Sequence, residues 1–506
     1  MGILAPDYTI TSFAGGVNTR DHPVGEGLGR ADLVTCVNMM PLGSSLQGRG
    51  GQTELFGTQI DANPIRSLYR FYKNSGTRIT VATSGTKVYT VTGSGATEID
   101  AAYTADKKFS IVNWSVKDKI YWINNFEVLK SYDGTTVASV GGSPPIGSQV
   151  ELHDDRLWIL QNNLVYFSDL NVDNVWPAAN ALNLADKFGG TGQFLKSFGR
   201  GLLIAGKDSG IYRFEGSPKL GGRLTRYSDV KCVAPWSAAI VPSQKGTPDS
   251  LIFLAQDGVY ATDGFNCGHI SEKIDPLFTG FFRTAVGKYY PKKRQYFLAF
   301  STTGAANDQF WVATYLDTPN GSYISWSPYT GFNADSFSVW DGPQDSGEIY
   351  YGRSDAGKIR QADIGVQDVG VDYKCSFQTR WENFGTLTRA KQARWLFPVF
   401  EATQPVNYQI GYTFGRSVVT GALDDRGQSG IAWGPGTVTW GPGTVTWLLG
   451  GPLENEVSSV LNFNWGRYLS FYFENTGEGS GFKFHQLGAQ LKIKDSHLRQ
   501  PFAIAS

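Results

Sequence analysis

The chain has 506 residues, enough for two or three domains with a sizeable core. Its 45 basic and 45 acidic residues balance, which argues against tight general binding of nucleic acid, because that grip normally rests on a basic excess. Glycine numbers 61, aromatics make up 14% and methionine only 3 residues; turn-formers and strand-formers abound together, so an all-β chain of many short strands is expected.

The opening Met-Gly-Ile-Leu-Ala-Pro-Asp lacks the basic region and apolar run of a secretion signal. Pro6 stands where a myristoylation site wants Ser or Thr. No apolar stretch approaches the ~20 residues that span a bilayer, so no membrane anchoring is expected. The first 60 residues are irregular and turn-rich, and read as an arm or wrapping segment that closes the ring of the next domain.

From residue 61 a repeat takes over. An apolar strand runs into a Gly, Asn or Asp turn, and a second strand comes next with an apolar–aromatic pair. It appears at 78–93, 118–134, 155–169, 201–216, 249–264 and 347–363, and 296–317 is the same hairpin with a longer turn. The markers Val88, Val128, Val165, Ile211, Val259 and Ile359 are 40, 37, 46, 48 and 100 residues apart, the last step being double. About seven units result, with six to eight open at the ends. Each has room for four short strands and cannot cover its own sheet, so neighbours must stack. A β-propeller over 61–369 is expected; two or more β-sandwiches would also use regular hairpins, but here one hairpin recurs in phase. Residues 370–495 lose the repeat and keep apolar–polar alternation, which predicts an antiparallel β-sandwich or jelly roll, with 496–506 as a C-terminal tail. Within it Trp-Gly-Pro-Gly-Thr-Val-Thr occurs at 433–439 and again at 440–446. Gly-Pro-Gly forbids a helix there.

Patterns for chemistry fail at residues their chemistry requires. Gly201 to Asp208 approaches a phosphate-binding loop, but Asp208 replaces the magnesium-holding Ser or Thr and a strand comes where a helix is needed. Asp154, Asp155, Asp257, Asp263 and Asp355 recur near turns, where Asp caps its own backbone; at Asp355, Arg353 and Arg360 occupy the Ser and Trp positions of a sialidase-type box. His22, His153, His269, His485 and His497 are scattered, as are Cys36, Cys232, Cys267 and Cys375, which read as small buried hydrophobes. No catalysis, metal or cofactor is expected.

A resemblance enters at Phe13-Ala-Gly-Gly-Val-Asn-Thr-Arg-Asp-His-Pro23, followed by Asn38 and by Pro41 to Gly50. Further stretches agree in order: His153 to Trp158 with Val165 to Asp169, Cys232 to Ser237, Phe253 to Tyr260, Asp263-Gly264 and Ile270 to Ile274. Over about residues 11–365 the chain resembles the nozzle, or packaged-DNA stabilisation and tail-tube, proteins of short-tailed bacteriophages, which are built around a propeller. That resemblance implies a virion component made in the host bacterial cytoplasm. It implies a homo-oligomeric, usually hexameric, ring below the portal and head–tail adaptor, near needle, fibre or spike proteins. The ring's channel would pass the packaged DNA without reading its sequence. Arg20, Asp21, Asn38 and Arg49 are the polar motif positions expected to fix the N-terminal arm, most simply through turn backbone groups of the same subunit; DNA-lining residues are not legible. The Trp-rich C-terminal region leaves a receptor- or carbohydrate-binding tail protein as an alternative, and a polysaccharide-degrading propeller as a remoter one.

Overall fold

The computed structural model describes residues 8–23, 27–199, 201–242, 249–280, 282–304, 306–318, 321–342, 345–385, 389–402, 408–414, 453–454, 468–475 and 482–493. The 433–446 repeat and the 496–506 tail lie outside them. The chain divides into two compact units, one of residues 51–314 and 329–365 and the other of 1–50, 315–328 and 366–506.

The first unit is a seven-bladed β-propeller. Seven four-stranded sheets succeed one another: 65–100, 110–139, 149–183, 192–228, 239–269 and 286–328, then a seventh over 334–362. The seventh takes its outermost strand, Gln52–Glu54, from the N-terminal side, in antiparallel register against Ile359–Ala362. Completing the last blade with a strand from just before the first one ties the two ends of the ring together. In the sixth blade the outermost strand, Gly321–Pro328, falls among the residues of the other unit.

The recurring hairpin is the second and third strand of each blade, as in Arg156–Gln161 paired with Leu164–Phe167. Second strands are buried nearly throughout: Leu202–Lys207 and Gln295–Phe300 expose no residue. A strand covered on both faces reads as an apolar run rather than an alternation, and that is how these segments read. Outer strands such as Gly95–Asp100 and Arg223–Ser228 are wetter. Apolar side chains join neighbouring blades. Trp158, Leu160, Val165 and Phe167 of the third blade pack with Leu195, Leu203, Tyr212 and Phe214 of the fourth. Ile65, Leu68, Ala82, Tyr89 and Val91 of the first meet Tyr350 and Ile359 of the seventh, so the closure has its own core. Asp154 and Asp155 both have φ near +50° and form the two-residue turn between Gln149–His153 and Arg156–Gln161; two successive left-handed residues match the strand twist, and Asp tolerates that region.

The second unit holds two sheets. One runs Leu453–Glu454, Lys391–Ala402, Phe482–Ile493, Leu46–Gly48, Met39–Pro41, with Tyr8–Ile10 also on Phe482–Ile493. The other runs Gly16–Val17, Asp32–Val37, Ser376–Thr379, Leu469–Asn475, Tyr408–Phe414, its first pair parallel. Phe377 and Phe473 of the second sheet contact Phe484 of the first at 4.9 and 5.0 Å between ring centres. The segment 1–60 is therefore not a free-standing arm, and 370–495 is not a free-standing body. Strands before residue 50 complete sheets begun by C-terminal strands, and only the stretch around Gln52–Glu54 wraps the ring.

Candidate functional site

The N-terminal motif is a folding device. Asn18, buried, accepts hydrogen bonds on Oδ1 from the backbone N–H groups of Arg20 and Asp21, both at 3.1 Å, and donates through Nδ2 to Asp21 at 3.0 Å and Asp32 at 3.1 Å. Gly15 is obligatory, since a Cβ there would stand 1.9 Å from an Asp32 carboxylate oxygen; Gly16, at φ +64°, would bring one within 2.6 Å of Ser325. Asn38, also left-handed at φ +57°, donates from Nδ2 to the Lys374 carbonyl at 2.7 Å and accepts from Arg49 Nε at 2.9 Å. Arg49 is 2% exposed and grips Asp368 with two nitrogens, at 2.9 and 2.5 Å, with its guanidinium 3.6 Å above the Tyr373 ring. Tyr373 returns a hydrogen bond to the Arg49 carbonyl. Of the four expected positions, Asn38 and Arg49 form one buried knot, Asp21 serves the Asn18 turn, and the exposed Arg20 joins that turn through its backbone. Asn18 was missed, although Asn bonding its own chain two and three residues on is a legible turn signal.

The other candidates resolve locally. Lys207 is fully buried and donates to the Leu184 carbonyl at 3.0 Å, while Asp208 accepts from the Thr191 backbone at 2.7 Å, so the 201–208 segment is a blade hairpin. Asp263 accepts from the backbones of Phe265 and Asn266, Asp257 from the Tyr260 hydroxyl, and Asp355 binds Arg353 and Asn333. Ser271 and Asp275 lie 3.1 and 3.0 Å from the same nitrogen, Nε2, of His269; a proton relay needs them on opposite nitrogens. His153 bonds Ser197 at 3.0 Å. His22 is exposed, His485 lies in the strand Phe482–Ile493, and His497 falls outside the described residues. Among the described residues no three His, Cys, Asp or Glu side chains gather as a metal set. Burial pushes the Cys267 thiol up to about 11 and that of Cys375 to about 12, which leaves both protonated and poorly nucleophilic at neutral pH.

The axis of the propeller is lined by the first strands of its blades. First strands of successive blades face one another there, as Ile65–Tyr72 and Ala334–Trp340 do. Lys288, in the first strand of the sixth blade, is solvent-accessible. Desolvation pushes its ammonium down first and Lys196 of the fourth blade second, with Asp341 and then Glu151 of the third blade opposing.

At the end where the first strands begin, a cavity of about 460 Å³ opens. Arg66, Lys107, Lys108 and Arg283 line it together with a single carboxylate, Asp106. Asp335, 3% exposed, lies beneath and accepts from Arg66 Nη1 and Lys108 Nζ, each at 2.7 Å. Burial pushes the Lys108 ammonium down, and only Asp335 works against that.

These observations define the class, a seven-bladed β-propeller with a basic cavity at one end of its axis. No protein-family model matches the chain, and no curated protein matches it by sequence. Among solved structures it is similar to a streptogramin B lyase, at 14% identity and a TM-score of 0.43, over 62% of this chain and 97% of that one. It is also similar to virginiamycin B lyase from Staphylococcus aureus, at 15% and 0.39 over 62% and 98%, and to YCF48 from Cyanidioschyzon merolae, at 12% and 0.40 over 62% and 99%. Likeness at this level says nothing of substrate or activity.

Proposed function

We propose that the chain is a non-catalytic structural component of a bacteriophage tail, a nozzle subunit that assembles as a ring below the portal and adaptor and lines the exit path of packaged DNA. The observation that carries this reading is the ordered series of motifs from Phe13 to Ile274, whose N-terminal members are built into the buried Asn18 turn and Arg49 knot. A closed propeller suits such a role, because it offers outer blade surfaces for neighbours and only short sheet edges for unwanted pairing. The genome path would run between copies of the chain.

Cryo-electron microscopy of purified particles tests the reading. Density for this chain in a ring on the tail axis is the expected result. Density confined to peripheral spikes, or a chain absent from particles, overturns it.

A further inference from the structure

We infer that the cavity at the axial end of the propeller is a binding site for a small, multiply charged oxyanion, a phosphate ester or polycarboxylate. Four cations line it against Asp106, and with Asp335 counted beneath them the site keeps two net positive charges. Asp335 is already saturated by Arg66 and Lys108, which leaves Lys107 and Arg283 to act outward. Arg283 is exposed and has no ion pair among the described residues; Lys107 has only the Phe126 ring, 4.6 Å away. A guanidinium offers two parallel N–H groups that fit the paired oxygens of a carboxylate or phosphate.

Two further observations point to an occupant. The hydroxyls of Thr284 and Ser354, both lining residues, are buried without a hydrogen-bond partner, and a buried hydroxyl left unsatisfied is destabilising. The volume lies within the ~300–1,000 Å³ range of ligand sites and is many times the ~30 Å³ of one water. Trp236 supplies an apolar wall for the body of an organic anion. The cations come from the first blade, the loop after it and the approach to the sixth, so the site exists only in the closed ring.

The inference is independent of the tail role: either can fail while the other stands. Isothermal titration of the full chain at low salt, with pyrophosphate and citrate as separate probes, tests it. One-to-one binding is expected for at least one probe, weakened about ten-fold or more in Arg283→Ala and further in Lys107→Ala/Arg283→Ala, because each change removes a charge-assisted contact to the anion. Both substituted side chains are at the surface, and thermal melts confirm that the variants fold. A preference for pyrophosphate assigns a phosphate ester and a preference for citrate a carboxylate. Absence of binding by both probes, or binding unchanged in the double variant, overturns the inference.

Discussion

Replacing Arg49 by Met should be among the most damaging single changes in the second unit. The guanidinium is 2% exposed, holds Asp368 at 2.9 and 2.5 Å, donates to Asn38 Oδ1 at 2.9 Å and to the Gly50 carbonyl at 2.8 Å. Met keeps the length and apolar stem but strands the Asp368 carboxylate, itself only 15% exposed. Removing one partner of a buried pair costs about 3–5 kcal/mol because the other charge remains without compensation. For a folding unit of 150–250 residues each kcal/mol moves Tm by about 2–4 °C, so a drop of roughly 6–20 °C is expected. Differential scanning calorimetry and urea titration would read it, alongside Asp368→Leu and the double variant. The double variant should be more stable than the sum of its parts, since it removes both charges together. A loss under about 1 kcal/mol in Arg49→Met, or strict additivity in the cycle, would refute the claim that this pair holds the N-terminal and C-terminal strands together.

Three other changes probe the propeller. Gly206→Ala would place a Cβ 2.1 Å from the fully buried Phe194 ring, and urea melts should show a loss of about 1–3 kcal/mol. Burial holds the His153 imidazole below its ordinary value, so the unfolded chain takes up that proton first; stability should fall as pH drops below roughly 6.5, and His153→Gln should flatten that slope in urea midpoints taken from pH 8 to 5. Burial alone would raise the Asp345 carboxyl, but hydrogen bonds from Tyr72, Arg70 and Arg78 outweigh it and hold it low. Its contribution should be complete above the unfolded value of ~3.9 and vanish as pH falls through the folded one, so Asp345→Asn should melt lower at pH 6 and differ little from the wild type near pH 2.

The propeller was legible because its signal is local and repeated. Each blade presents a second strand such as Leu202–Lys207, apolar because both faces are covered, then a turn, then an apolar–aromatic pair. The sixth blade looked irregular only because Phe300 and Gln309 are joined by a longer loop. The second unit was misjudged at its boundaries for the opposite reason. Short strands such as Met39–Pro41 and Leu46–Gly48 carry too little alternation to show where they dock, and the partner of Leu46–Gly48, Phe482–Ile493, lies more than 430 residues further along the chain.

The basic cavity obeys the same logic more severely. Arg66, Lys108, Arg283 and Ser354 sit in four unrelated stretches, each with an innocuous local reading as a strand residue, a loop charge or a turn hydroxyl. Overall neutrality hid them as well, since 45 charges of each sign say nothing of where they fall. Closure by Gln52–Glu54 collects them, because it brings the seventh blade and its Asp335 against the first blade and its Arg66. The cavity and the closure are therefore coupled. A change that opens the seventh sheet, such as Thr53→Pro, which removes a ladder donor opposite Gln361, should weaken anion binding and lower stability together. Arg283→Ala should weaken binding and leave stability unchanged.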